Sequence, residues 1–228
     1  MVDTSAGETA LYDAVASAPA GAYLILQGDK EKIMQAALQP PENSDFTLDL
    51  NGHTLMSVGP FVGSAGTEAN AFRFLKGSNI TIKNGTLKCQ APGVAILIQN
   101  FANLTLDNVK LQGKSGYSYI LSNNCGEIHL KNGTTLPGSQ NPSGQVSFDA
   151  HYGLTPECDD GVAVYIDDPS VVVSGRIEYT KEARITDDTQ WYDKCHIYIP
   201  VGYTDVTAPE GYQFQLTADG KHQELVHL

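Results

Sequence analysis

The sequence predicts an all-β chain built as a single-stranded parallel β-helix of about six coils, and three observations predict it. The phrase Leu48-Asp49-Leu50-Asn51-Gly52-His53-Thr54-Leu55 returns as Ile80 to Leu87, as Leu104 to Leu111 and as Ile128 to Thr134. Asn84, Asn108 and Asn132 stand 24 apart, a period that marks one structural unit stacked on itself. Each copy opens on an apolar-x-apolar pair, the period-2 pattern of a strand with one buried face, and turns at an Asn that tolerates the left-handed region. Strands that return every 24 residues without room for crossover helices stack in parallel about 4.8 Å apart.

A half-repeat sits before each copy. Phe72 and Phe74 lie 24 before Ile96 and Ile98. A coil therefore holds at least two short strands and a corner. The phrases LDLNGHTL and ITIKNGTL resemble those of right-handed, pectin-lyase-like β-helices found in Gram-positive surface modules and phage structural proteins. The resemblance covers roughly residues 20 to 180 and implies right-handed coils; it implies no particular activity.

Taken in order, Ser5-Ala6-Gly7-Glu8 matches a capping box, followed by Leu11, Ala14, Val15 and Ala18 at helical spacing. A short helix ending before Pro19 is expected, covering the open end of the coil. Tyr23 to Leu26 is the first strand, and Asp29 is expected to cap a second short helix carrying Ile33, Ala36 and Ala37. The coils occupy 46–180. Leu48, Leu50, Leu55, Phe72, Phe74, Ile80, Ile82, Leu87, Ile96, Ile98, Leu104, Leu106, Leu111, Ile128, Leu130, Val171 and Val173 form the core, and Gly175 takes the place held earlier by Asn. In 181–228, Tyr212, Phe214 and Leu216 alternate and Asp219-Gly220 turns, which reads as a hairpin cap. The whole of 1–228 reads as one domain, with 1–45 as the N-terminal cap and first strand.

The chain of 228 residues carries a net charge of −12, with a pI near 4.7. That disfavours nucleic acid and anionic membranes as partners. No run reaches the length of a membrane span, and Met1-Val2-Asp3-Thr4-Ser5 lacks the basic start and apolar stretch of a secretory signal. The expected location is a cell surface, as part of a longer exported protein, with a virion as the alternative. Cys89, Cys125, Cys158 and Cys195 are spaced 36, 33 and 37 apart, which 24 does not divide. Four free thiols are expected, with a Cys158–Cys195 disulfide as the alternative.

Function is expected in the departures from the repeat: Met56 to Asn70, Gln112 to Tyr119 and Pro137 to Asp160. Tyr117, Tyr119, His151, Tyr152, Trp191 and Tyr192 are the binding candidates there and in the tail, for glycans or for protein surfaces. The competing reading makes Trp191, the only tryptophan, a plug for the end of the core. Asn79-Ile80-Thr81 and its sequon-like relatives follow from the repeat. His129 falls between inward residues and points to solvent, and His53, His222 and His227 are likewise discounted as ligands.

Resemblance to polygalacturonases and lyases raises an alternative catalytic set, Asp159, Asp160, Arg176 and Glu178, but that family's GHG-like element is missing. Asp159, Asp160, Asp187 and Asp188 are the alternative Ca²⁺ ligands, and otherwise no cofactor is expected. The reading carried forward is a non-catalytic recognition or structural module, with oligomers such as trimers possible. A polysaccharide lyase or glycoside hydrolase is the alternative.

Overall fold

The computed structural model describes residues 1–3, 5–7, 9–63, 68–113, 118–138, 146–153, 158–187 and 189–228. The chain is all-β with parallel sheets, and α-helix among the described residues is confined to Ala10–Ala16 and Thr189–Tyr192. The backbone visits three faces in turn. The first holds Ala22–Gln27, Asp45–Asp49, the front halves of Asn79–Cys89 and Asn103–Gln112, then Glu127–Lys131, Val162–Ile166 and Cys195–Pro200, every neighbour parallel. The second holds Glu31–Met34, Thr54–Ser57, the back halves of the two long strands, Thr135–Leu136 and Val172–Val173. Asn70–Phe74, Ile96–Asn100, Tyr119–Asn124, Val146–Tyr152 and Arg176–Lys181 form the third. Such an order is compatible with a parallel β-helix.

The 24-residue register holds where laps are tight: Ile80 pairs with Leu104 and Leu104 with Ile128. The asparagines at the first-to-second corner all adopt left-handed backbone, with φ of 49° at Asn51, 58° at Asn84, 57° at Asn108 and 53° at Asn132. Asn108 Nδ2 donates to Asn84 Oδ1 at 3.3 Å, and Asn132 Nδ2 to Asp107 Oδ1 at 2.7 Å. A polar side chain that can bond locally makes this backbone tolerable.

Elsewhere the register departs from expectation. Phe46, and not Leu48, pairs with Ile80, although Thr54 pairs with Thr86 as expected. The cause is a wider corner, in which Asn51 and Gly52 are both left-handed. His53 fills it: 2% exposed, it is no solvent histidine, and its Nδ1 donates to the Leu50 carbonyl at 2.7 Å. On the third face Phe72 pairs with Ile98 and Phe74 with Asn100, two residues off the expected register, and Ile96 is only half-buried.

Asn100 and Asn123 are buried partners on neighbouring strands. Asn100 Nδ2 donates to Asn123 Oδ1 at 2.8 Å and to the Ala102 carbonyl at 2.9 Å, while Asn123 Nδ2 donates to the carbonyls of Gly126 and Ala163. A Cβ on Gly126 would lie 2.7 Å from Asn100 Nδ2, so only glycine lets this amide ladder close the third-to-first corner.

Three further expectations fail. The first helix begins at Ala10 with Thr9 as an N-cap that makes no side-chain bond, and Ser5 instead donates to Asp3. Leu11 and Val15 are still its buried pair. The segment after Asp29 is a strand, because Glu31–Met34 finds a parallel partner in Thr54–Ser57 that outweighs a weak helical period. Gly175 does not replace Asn. Asp168 does, accepting from the Asn132 amide at 2.7 Å, whereas Gly175 leads into the third face and donates to Ser147 Oγ. The C-terminal hairpin forms as expected, Tyr212–Leu216 against His222–His227, and adds antiparallel to Cys195–Pro200.

Cys125 and Cys158 form a disulfide with Cα atoms 4.5 Å apart, and Cys89 and Cys195 are buried free thiols. Neither four thiols nor a Cys158–Cys195 pair is therefore found. The local lap is 36 residues, Glu127 pairing with Ala163, so a spacing of 33 brings two neighbouring corners together. Denatured, unreduced protein should titrate two thiols, rising to four after reduction, and Cys125→Ser should cost about 3–4 kcal/mol by urea denaturation. Asn123→Ala strands several buried partners and should cost about 2–3 kcal/mol. Asn108→Gly should change stability by less than about 0.5 kcal/mol, since glycine enters left-handed backbone freely.

Candidate functional site

Alternation on the third face sends Phe72, Ile98, Leu121, Phe148 and Ile177 inward. The residues that follow them, Arg73, Gln99, Ser122, Asp149 and Glu178, form one outward row across five strands. Next to it Asn124, His151 and Thr180 form a second row. Parallel pairing places successive members about 4.8 Å apart.

These side chains are bonded to one another. Asn70 Nδ2 donates to Gln99 Oε1 at 2.9 Å, and Ser122 Oγ to Asn124 Oδ1 at 2.8 Å. His151 Nδ1 donates to Thr180 Oγ1 at 2.9 Å, and Thr180 Oγ1 in turn to Asp149 Oδ2 at 2.7 Å. Arg176 Nη2 holds Glu178 Oε1 at 2.5 Å. Asp149 is 2% exposed, and among the described residues its second oxygen, Oδ1, is buried without a hydrogen-bond partner.

Burial pushes the Asp149 carboxyl up to about 7, and the charge of Glu178 adds to the rise against the hydroxyls of Ser122 and Thr180. Tyr119 is raised to about 12, chiefly by burial and then by the charges of Asp149 and Glu178. Burial lowers His151, opposed by Glu182. Ser122 and Asp149 are buried, so the row presents Arg73, Gln99 and Glu178 at the surface, with an acid that titrates near neutrality held between them.

Of the residues singled out from sequence, Tyr119, His151, Arg176 and Glu178 meet here. Asp149, Ser122 and Thr180 were missed. Asp159 and Asp160 sit instead on the third-to-first corner, where Asp160 lies 3.9 Å from Lys76 in a groove of about 390 Å³. Tyr152 is half-buried and packs on the core. Tyr117 and Asp188 lie outside the described residues. Among the described residues no group of three His, Cys, Asp or Glu side chains is placed to hold a metal ion; Asp159, Asp160 and Asp187 join none. Also among these residues, no helix is long and apolar enough to cross a membrane.

Trp191 is 5% exposed and closes the core beyond the last lap, edge-on to Tyr179. Tyr192 is half-buried and lines a cavity of about 270 Å³ beside it. On the first face, His129 points outward but is not alone. It stacks on Tyr165 at 4.5 Å, and Tyr165 stacks on Tyr198 at 4.7 Å. Their ring faces are spent on each other, so this ladder is no open platform for a sugar. His129 Nδ1 lies 3.0 Å from Asp167 and Nε2 3.2 Å from Glu127, and these contacts, Asp167 foremost, raise its pKa. Comparison of the chain with protein-family models, with curated proteins and with solved structures finds no match.

Asp149 and His129 each hold a proton more tightly folded than unfolded, so the stability that each contributes falls as pH rises, while His151, lowered by burial, works the other way below 6.5. For Asp149 the window runs from the ordinary 3.8 to about 7, and for His129 from 6.5 upward. Urea denaturation of wild type against variant between pH 4 and pH 8 should show the decline that each of Asp149 and His129 contributes, at most about 1.4 kcal/mol per pH unit for each group. Asp149→Asn should flatten the acidic part of that decline and His129→Gln the part above 6.5.

Proposed function

We propose that the chain is a single-stranded right-handed β-helix of about six coils, pectin-lyase-like in build, that recognises a glycan without cleaving it. The observation that carries this reading is the third-face polar row, in which Arg73, Gln99 and Glu178 are half-exposed and flank the buried Ser122 and Asp149, a regular spacing that suits an extended, hydroxyl-rich chain. A net charge of −12 favours neutral sugars over uronates. Display on a bacterial surface, or on a virion, fits a chain with a disulfide, since such bonds persist in oxidising surroundings.

A second reading, hydrolysis or lyase cleavage of a polysaccharide, is favoured by one observation: an acid titrating near 7 stands beside a carboxylate on the next strand. Against it, Asp149 is 2% exposed with one oxygen held by Thr180, and Arg176 clamps Glu178. An array of immobilised glycans, followed by reducing-end and unsaturated-uronate assays on whatever binds, separates the two. The expected result is binding that falls at least about tenfold in Glu178→Gln and Gln99→Ala, with no products released. Turnover abolished by Asp149→Asn would establish the second reading, and binding indifferent to both substitutions would remove this face from consideration.

A further inference from the structure

The end of the last lap carries a second built feature that shares no residue with the polar row. Tyr179 comes from the final third-face strand, Trp191 and Tyr192 from the short helix after it, and Tyr212 from the hairpin. They form a closed circuit. Ring centroids are 5.9 Å apart for Tyr179 and Trp191, 5.0 Å for Trp191 and Tyr192, 6.4 Å for Tyr192 and Tyr212, and 5.0 Å for Tyr212 and Tyr179. The interplanar angles round the circuit are 90°, 46°, 84° and 66°, so each ring stands across its neighbours as the walls of a box do. All four rings line the cavity of about 270 Å³, together with Glu224, Asp193, His196 and His227, the last stacked on one face of Tyr192 at 4.3 Å.

We infer that this box receives a small organic cation, a quaternary ammonium group. Aromatic faces present the negative part of the ring quadrupole, and enclosure by several of them is worth more to a cation than a single exposed contact. Among the described residues, the lining includes two carboxylates and two histidines, His196 and His227, and no Lys or Arg. The ammonium of Lys181, outside that lining, already sits 5.7 Å from the Trp191 ring centroid, so the cluster draws a cation even where it does not enclose one.

A metal ion is a poor occupant, since rings lack lone pairs to ligate it and Glu224 Oε1 is held by His196 Nδ1 at 2.7 Å. The Tyr179 hydroxyl donates to the Leu225 carbonyl at 3.2 Å, which leaves its ring and not its oxygen to the ligand. The cavity lies below the range of about 300–1,000 Å³ typical for drug-sized ligands, matching a head group and not a whole sugar chain.

Trp191 is the only tryptophan, so its emission reports on the box directly. The probe is choline chloride, set against its neutral carbon isostere 3,3-dimethylbutan-1-ol and against sodium chloride at equal ionic strength, with calorimetry run on the same titrations. Choline should bind saturably and the isostere at least about fivefold more weakly, within the two- to thirtyfold that cation–π contacts supply. Tyr192→Ala should weaken choline by a similar factor. Asp193→Asn, at an exposed position that leaves folding intact, should weaken it about two- to threefold. No saturable signal by either method, an isostere that binds as well as choline, or an Asp193→Asn protein of unchanged affinity would each overturn the inference.

Discussion

Parallel backbone pairing between successive laps is the constraint on which the rest of this structure depends. Because it fixes one side chain directly over its counterpart, every position becomes a column and every column needs its own chemistry. Inward columns are apolar, as in Ile80, Leu104, Ile128, Val164 and Ile197. Outward columns on the first face avoid clashes of like charge: Asp49, Lys83, Asp107 and Lys131 alternate in sign, with Lys83 3.7 Å from Asp107. Thr47, Thr81 and Thr105 continue as His129, Tyr165 and Tyr198, whose rings are wide enough to stack at strand spacing.

Pairing also sets the problem at the corners, where the ladder breaks and backbone groups must find other partners. Two solutions coexist. Exposed corners use left-handed asparagines that bond to the lap below. The third-to-first corner is buried, and there Asn100 and Asn123 use their amides to satisfy carbonyls that water cannot reach. Cys125, itself left-handed at φ 57°, occupies the same edge and is tied to Cys158 of the next lap, so a covalent link takes over from the amide ladder.

This explains which parts were legible in the sequence. Ile80, Leu104 and Ile128 could be aligned because their laps contain no insertion, and Asn84 and Asn108 turn with a single left-handed residue. The Asn51-Gly52 corner takes two such residues, which shifts everything before it while leaving the phrase itself looking alike. Phe74 was matched to Ile98 because a buried Asn100 reads as the end of a strand in any hydropathy pattern. Cys125–Cys158 and the His129 ladder were hidden for one reason, that laps of 36 and 33 residues followed a repeat of 24. Asp149 carried no signal at all. Its neighbours Glu178 and Ser122 come from other laps, and within Val-Ser-Phe-Asp-Ala-His-Tyr it passes for an ordinary outward strand residue.

The third face breaks the rule that the first obeys. Where the first face sets Lys against Asp, the third sets Asp149 against Glu178 at strand spacing and, among the described residues, leaves a buried carboxylate oxygen without a donor. Like charges opposed on adjacent strands are destabilising, and an unsatisfied buried polar atom costs about 1–3 kcal/mol more. On the third face Arg176 holds Glu178 and burial keeps Asp149 partly protonated near neutrality, so the two faces meet the same electrostatic constraint by different means, one by alternating charge along the column and the other by a same-strand ion pair and a raised pKa.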